Sequence, residues 1–296
     1  MRRCFQLHQR LRHHAINTAG CYELTGALSA TTAGQTCITI GTSNVLLKFN
    51  GHSINGPGST STGVGIRVLP NFVNSKAVTV AVSNVRIEGE GQYVSSFKVG
   101  VLVGKPTSTP GPNHITIDNL NAQSNVADGI QLINTSLSVV SADSADYNLA
   151  NGIEIDAGSK SNLVTASTAN SNKVYGIWLY SASGNELAAD TAESNALAGI
   201  FLGCTTKGPG SATTCKSLTL PGSDNNQLDS DTTDYNGTTG KKGWGIALDS
   251  GCSGNSIEDA SSTSNVSYDL YDQNVGCDSN TWFGDVFSAA NNICID

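Results

Sequence analysis

The chain has 296 residues, of which 32 are Gly, 7 are Pro and one is Met, and only 14% are charged. This composition suits many short strands joined by tight turns and is poor for helices. The net charge of −8 argues against nucleic-acid and anionic-membrane partners, which need clustered Lys/Arg, and no apolar run approaches the roughly 18 residues of a membrane span.

In chain order, the first 14 residues, MRRCFQLHQRLRHH, hold four of the six Arg and three of the five His. No apolar core of a signal peptide follows them. Leu7, Leu11 and Ala15 at i, i+4 spacing would form one helical stripe. Residues 1–16 are therefore expected to be a tail or N-terminal cap outside the repeat, and residues 17–296 a single domain. Eight Cys without C-x-x-C zinc spacing predict disulfides and an oxidising compartment, extracellular or periplasmic. The expected pairs are Cys21 with Cys37, Cys204 with Cys215, and Cys252 with Cys277, leaving Cys4 and Cys294 unassigned.

A repeat then dominates the chain. The segments VGIRVL, VGVLVG, DGIQLI, NGIEID, YGIWLY, AGIFLG and WGIALD, with the degenerate YDLYDQ, begin their apolar pattern at Ile66, Val101, Ile130, Ile153, Ile177, Ile200, Ile246 and Leu270. From Ile130 the steps are 23, 24, 23, 46 and 24, the long one being a winding with an insertion. A second apolar column runs through Ile117, Val140, Val164, Leu187, Leu228 and Ile257, with Asn162, Asn185, Asn226 and Asn255 two positions before the last four. Small residues follow at Ala122, Ala145, Ala169, Ala192, Thr233 and Ser262, and three residues on come Asn125, Asn148, Asn172, Asn195, Asn236 and Asn265. This predicts an all-β, single-stranded parallel β-helix of about 23 residues per coil, equivalent positions stacking into ladders about 4.8 Å apart. Asn suits the corners because it tolerates left-handed geometry and its amide bonds neighbouring backbone. The sequons at Asn236 and Asn265 would then be inaccessible.

These segments, with the opening CYELTGALSATTAGQTCITIGTSNVLLKFNGHSING, resemble the right-handed parallel β-helix proteins of the pectin-lyase-like superfamily, of the secreted bacterial type. The resemblance covers residues 17–296 and implies the solenoid fold. It leaves the activity open among pectate lyases, polygalacturonases, alginate epimerases, phage-type depolymerases, non-catalytic modules and an accessory protein of nitrous oxide reductase assembly.

In G-I-x-[LIV]-x the residues one and three after Ile face outward. The first outward column reads Arg67, Leu102, Gln131, Glu154, Trp178, Phe201, Ala247, Tyr271. The second reads Leu69, Gly104, Ile133, Asp156, Tyr180, Gly203, Asp249, Gln273. Trp178, Phe201 and Tyr180 beside Glu154 and Asp156 suggest an aromatic shelf edged with carboxylates, suited to sugar rings. Insertions at 105–113 and 204–222 would flank this face as walls, with Gln131, Asp249 and Tyr271 contributing to binding. The expected function is non-catalytic glycan binding on this outward face, with a polysaccharide or cell-surface glycan as partner and no cofactor.

The first alternative is a glycan hydrolase, less readily a lyase or epimerase, using Glu154 and Asp156 with Tyr180. Carboxyls on i and i+2 of a strand fall near the ~6.5–9.5 Å separation of inverting hydrolases. In the alginate epimerases that the segment resembles, the two positions hold Asp and His, whereas here the second is Asp156. No Lys or Arg occupies an adjacent outward strand position to neutralise a uronate, and the paired-Asp, His-Gly and Arg-x-Lys pattern of polygalacturonases is absent. The second alternative is a structural or adhesive rod. The run holding Asp229, Asp231 and Asp234 is a weak Ca²⁺ candidate that lacks D-x-D-x-D-G spacing. Copper handling finds no Met, Cys and His cluster in the sequence.

Overall fold

The computed structural model describes residues 4–8, 13–69, 81–106, 110–238 and 242–295. The chain winds as a parallel β-helix. Ten short strands stack into one sheet containing the G-I-x-L segments, and thirteen strands form a second containing the N-x-apolar segments. A third, narrow stack of single bridges runs through Asn121, Ser144, Thr168, Thr191, Thr232 and Ser261. Every pairing between strands is parallel, and Ile130, Ile153, Ile177, Ile200, Ile246 and Leu270 oppose one another in sequence, as predicted.

Both inward columns are fully buried and merge into one continuous core. The Asn residues form two hydrogen-bonded ladders. Each side-chain amide donates to the Oδ1 of the next winding, Asn125 to Asn148 at 3.1 Å and Asn172 to Asn195 at 3.1 Å, and each Oδ1 also accepts a backbone N–H from the winding before. The second ladder joins Asn162, Asn185, Asn226, Asn255 and Asn280 in the same way. Asn236 is fully buried in the first ladder, out of reach of glycosylation.

The Gly of each Gly-Ile pair departs from strand alternation, because Gly and Ile both face the interior. A Cβ on Gly129 would lie 2.5 Å from the Ala122 carbonyl oxygen and 2.8 Å from the Asn148 amide. Only glycine fits that approach, and the residue before it is thereby swung to the outside.

Two expectations need correction. The described part of segment 1–16 does not stand outside the repeat. Phe5–Leu7 pairs in parallel with Tyr22–Leu24, and His14–Ile16 pairs with Ile38–Ile40, so both strands form a first rung. Leu7 and Ala15 therefore lie on strands, and Leu11 falls outside the described residues. The disulfides join Cys4 to Cys21, Cys204 to Cys215 and Cys277 to Cys294. Only the second matches expectation. The register that sets Phe5 opposite Tyr22 sets Cys4 opposite Cys21 on adjacent rungs, with 4.6 Å between Cα atoms. Cys37 and Cys252 are instead free thiols buried in the core.

Candidate functional site

The strand register assembles the first outward column as read from the sequence. Arg67, Leu102, Gln131, Glu154, Trp178, Phe201, Ala247 and Tyr271 each oppose the next. The middle of this column is not open: Trp178, Phe201 and Ala247 are buried, and the insertion after Gly203 approaches the outer face at Tyr175, Trp244, Tyr271 and Gln273.

Under the insertion, Tyr175, Trp178, Ala198, Phe201, Trp244 and Ala247 form a second apolar cluster, separate from the barrel core. Trp178 contacts Tyr175, Tyr180 and Phe201 at ring-centroid distances of 5.4, 4.8 and 6.4 Å. The Phe201 ring lies along its own strand over Gly203, where a Cβ would collide with it. Gly208 of the insertion sits against the Tyr175 hydroxyl, and Gly210 against the Trp244 ring and the Tyr271 hydroxyl. The Ser211 carbonyl accepts from Gln273 Nε2 at 2.7 Å, and the Cys204–Cys215 bridge closes the insertion's base. Phe201 and Trp178 are 0% and 7% exposed, so neither offers a free face for a sugar. Asp249 is buried too, its Oδ1 accepting the Ser250 N–H and its Oδ2 facing Cys215 Sγ at 3.6 Å. Of these three expected binding residues, Trp178 and Phe201 are packed into the outer cluster and Asp249 contacts the base of the insertion at Cys215.

On one side of the cover lies a cluster of carboxyl groups. Glu154 accepts from Gln131 Nε2 at 3.2 Å and from Asn151 Nδ2 at 2.8 Å. The Asn151 backbone N–H donates to Asp128 Oδ1 at 3.0 Å. Burial, then the neighbouring Asp128 and Asp156 carboxylates, pushes Glu154 up to about 8 against those amide hydrogen bonds. Burial also raises Asp128 to about 6, opposed by Asn151 and by the nearby charge of Lys98. Asp156 is half-buried and raised by burial, its Oδ1 accepting the Ala157 N–H at 2.6 Å. Glu154 therefore holds a proton near neutrality beside Asp128, which releases its own more readily, a division suited to acid–base work. Asp128 and Lys98 escaped the sequence reading because it followed only the positions after Ile. Asp128 precedes the inward Gly129, where strand alternation breaks.

On the other side, Gly210, Lys242, Trp244, Ser267, Tyr268, Tyr271 and Asn291 line an open pocket of about 350 Å³. Tyr268 and Tyr271 stand 5.7 Å apart between ring centroids, Tyr271 and Trp244 6.0 Å, and Lys242 Nζ lies 5.9 Å from the Trp244 ring centre. Tyr268 is exposed and Tyr271 half-exposed. Of the expected binding residues, Tyr271 lies in this pocket and Gln131 at the carboxyl cluster. Tyr180 packs against Trp178 between the two.

The acidic run does not converge on a cation. Asp231 points into the barrel and is fully buried, Asp234 accepts from the Thr263 backbone and hydroxyl, and Asp229 accepts from Ser230. Among the described residues the one tight group of metal-ligand types is Cys204, Cys215 and Asp249, and its sulfurs are joined in the disulfide.

Residues 32–214 match the family described as right handed beta helix region. No curated protein sequence matches the chain. Among solved structures, the periplasmic alginate epimerase AlgG is similar, with a TM-score of 0.64 at 14% identity over 91% of this chain and 60% of that one. The A-module of mannuronan C-5 epimerase AlgE6 from Azotobacter vinelandii has a TM-score of 0.59 at 16% identity, over 90% of this chain and 67% of the module. Pectate lyase Pel9A has a TM-score of 0.51 at 14% identity, over 93% and 69%. At these identities the likeness is one of fold.

Proposed function

The chain belongs to the right-handed β-helix family, with the fold of the pectin-lyase-like superfamily, and from that premise we propose that it binds polysaccharide on the outer surface of its G-I-x-L sheet. The observation that carries this reading is the pocket in which Tyr268 and Tyr271 reach solvent on that surface, with the buried Trp244 as its backing. Aromatic faces stack on the apolar faces of sugar rings, while the Tyr271 hydroxyl, Lys242, Ser267 and Asn291 offer polar partners for hydroxyls or acidic groups. The solved relatives include enzymes named for alginate and pectate, which lends the polysaccharide class support from fold analogy alone. Three disulfides fit an extracellular or periplasmic setting, and no helix among the described residues is long and apolar enough to cross a membrane.

A specific observation favours turnover as a second reading. Glu154 keeps its proton to about pH 8 beside Asp128 and Asp156, which makes it a candidate general acid, with one neighbour serving as base in a hydrolytic cleavage. Lys98 supplies the cation that a uronate substrate would need.

The test is retention of purified protein on a panel of acidic and neutral polysaccharides, with parallel assays for new reducing ends and unsaturated products. Retention that falls in Tyr271→Ala, without product, supports binding alone. Product that disappears in Glu154→Gln supports turnover. Absence of retention and product across the panel overturns both.

A further inference from the structure

Among the described residues, Phe5–Leu7 pairs only with Tyr22–Leu24 at one end of the barrel, and Thr281–Phe283 only with Ser256–Glu258 at the other. These strands are the two edges of a single sheet, and each has one side without a neighbour. We propose that a second copy of this chain continues that sheet, the C-terminal rung of one copy docking head to tail on the N-terminal rung of the next.

The two edges match in register. The inward column that runs through Leu47, Val164 and Ile257 begins at Phe5 and ends at Trp282. Every pairing along it is parallel, so a copy displaced along the barrel axis presents Phe5–Leu7 to Thr281–Phe283 with the same strand direction and the same alternation of faces. Both rungs also carry apolar surface that the chain itself leaves uncovered. Phe5 belongs to an inward column yet is 58% exposed, because only Tyr22 stacks on it, at 5.2 Å. Phe283 and Val286 on the last rung are 72% and 62% exposed. The N-terminal end is open as well, with a cavity of about 640 Å³ lined by residues including Leu7, Ile16 and Tyr22. Uncapped solenoid ends and bare strand edges are sites of association.

Charge identifies the partner. The first 22 residues carry four Arg and three His and no acidic residue, whereas residues 243–296 carry eight acidic residues and no Lys, Arg or His. His8 and His13 near the first rung are exposed, as are Asp259 and Asp278 near the last. Head-on-head or tail-on-tail contact would set like charges together and make the strands antiparallel. Head-to-tail contact sets opposite charges together and keeps the strands parallel. Its two surfaces differ, so the contact is heterologous and every copy added leaves a fresh end for the next. This inference is independent of the polysaccharide reading.

The experiment is sedimentation velocity of the untagged full-length protein over a series of concentrations, at low and at high salt. At low salt the average mass should rise with concentration past that of a dimer without reaching a plateau, and high salt should return it toward the monomer. Phe5→Glu, which spoils the head, and Phe283→Asn, which spoils the tail, should each weaken association at least tenfold. Mixed in equal amounts, the two variants retain one sound tail and one sound head between them, and should form a one-to-one dimer that grows no further. Recovery of that dimer shows that both variants fold, and circular dichroism of each alone checks it separately. A wild type that stays monomeric, a dimer that is already closed in the wild type, association unmoved by either variant, or folded variants that fail to pair when mixed would each overturn the proposal.

Discussion

Phe201 stacks beside Trp178, one rung apart, with 6.4 Å between ring centroids and 13° between planes, and both rings are buried in the outer cluster whose Tyr175 and Trp244 the insertion after Gly203 approaches. This pair fixes what the middle of the outer surface can do. It is a second core, and its removal should loosen the cover before it alters any sugar contact.

Gly203→Ala tests the cover. The added methyl would meet the Phe201 ring, so the ring must turn away from the seat that it shares with Tyr175. Overpacking of this kind costs about 1–3 kcal/mol. The expected outcome is faster proteolysis within residues 204–222 and a melting temperature lower by a few degrees, with the barrel's far-ultraviolet circular dichroism retained.

Breaking a ladder should cost stability, because its side chains are buried and paired. Asn172 Oδ1 accepts both the backbone N–H and the side-chain amide of Asn148, at 2.8 and 3.2 Å, and its own amide donates to Asn195. Asn172→Ala orphans these buried groups, for which roughly 1–3 kcal/mol is expected. Chemical denaturation read against the wild type checks the value. Leu149→Ala, at an exposed neighbouring position, should change stability little.

A third column predicts dependence on pH. Asp143, Asp190 and Asp231 are buried inside one corner, each with Oδ1 accepting a backbone N–H from the previous winding and Oδ2 without a partner. Burial raises Asp143 to about 8 and Asp190 to about 7, and drives Asp231 well above its ordinary value. Acids raised in the folded state stabilise it fully below their unfolded pKa near 4 and lose that contribution as pH rises through the folded values. The melting temperature should therefore fall between about pH 5 and pH 9. Asp190→Asn, which keeps the Oδ1 acceptor and cannot ionise, should flatten that decline; an equally steep decline in this variant would rule out the column as its source.

Glu154, buried on the outer side of the sheet, titrates in the same direction. Below about pH 8 it is neutral, and above that it adds a negative charge beside Asp128 and Asp156. Retention of an anionic polysaccharide near this cluster should weaken as pH rises from 7 to 9, and Glu154→Gln should remove that step. Retention assays across the pH series read both, with a neutral polysaccharide as the control that should show no step.

Most of the barrel was legible because stacking turns one winding's chemistry into a column. Ile, Ala and Asn recur at fixed offsets, and those offsets become the core and the two ladders. The ends were less legible. Phe5–Leu7 and His14–Ile16 have three residues each, set among Arg and His, and too few apolar positions to declare a period. Disulfide pairing could not be read from spacing: Cys21 pairs with Cys4 on the adjacent rung, about as near along the chain as Cys37, and Cys277 pairs with Cys294 and not with Cys252 one repeat before it. The insertion was misjudged because a sequence does not say whether a long loop stands beside a face or falls across it. One signal was available: apolar residues at Tyr175, Trp178, Ala198, Phe201, Trp244 and Ala247 lie on the outside of successive windings, and such a stripe requires something over it.

The Asn ladders also make the length of the solenoid adjustable in whole units. Each winding receives from one side of the ladders the same bonds that it offers on the other, so excising 153–176 would set Asn195 beneath Asn148 and Asn185 beneath Ser138 with the ladders' own donors and acceptors matched. That excision would bring Trp178 next to Gln131 and discard Glu154 and Asp156 together. The scaffold can therefore lose or duplicate a turn of chain while its surface chemistry is rewritten a row at a time.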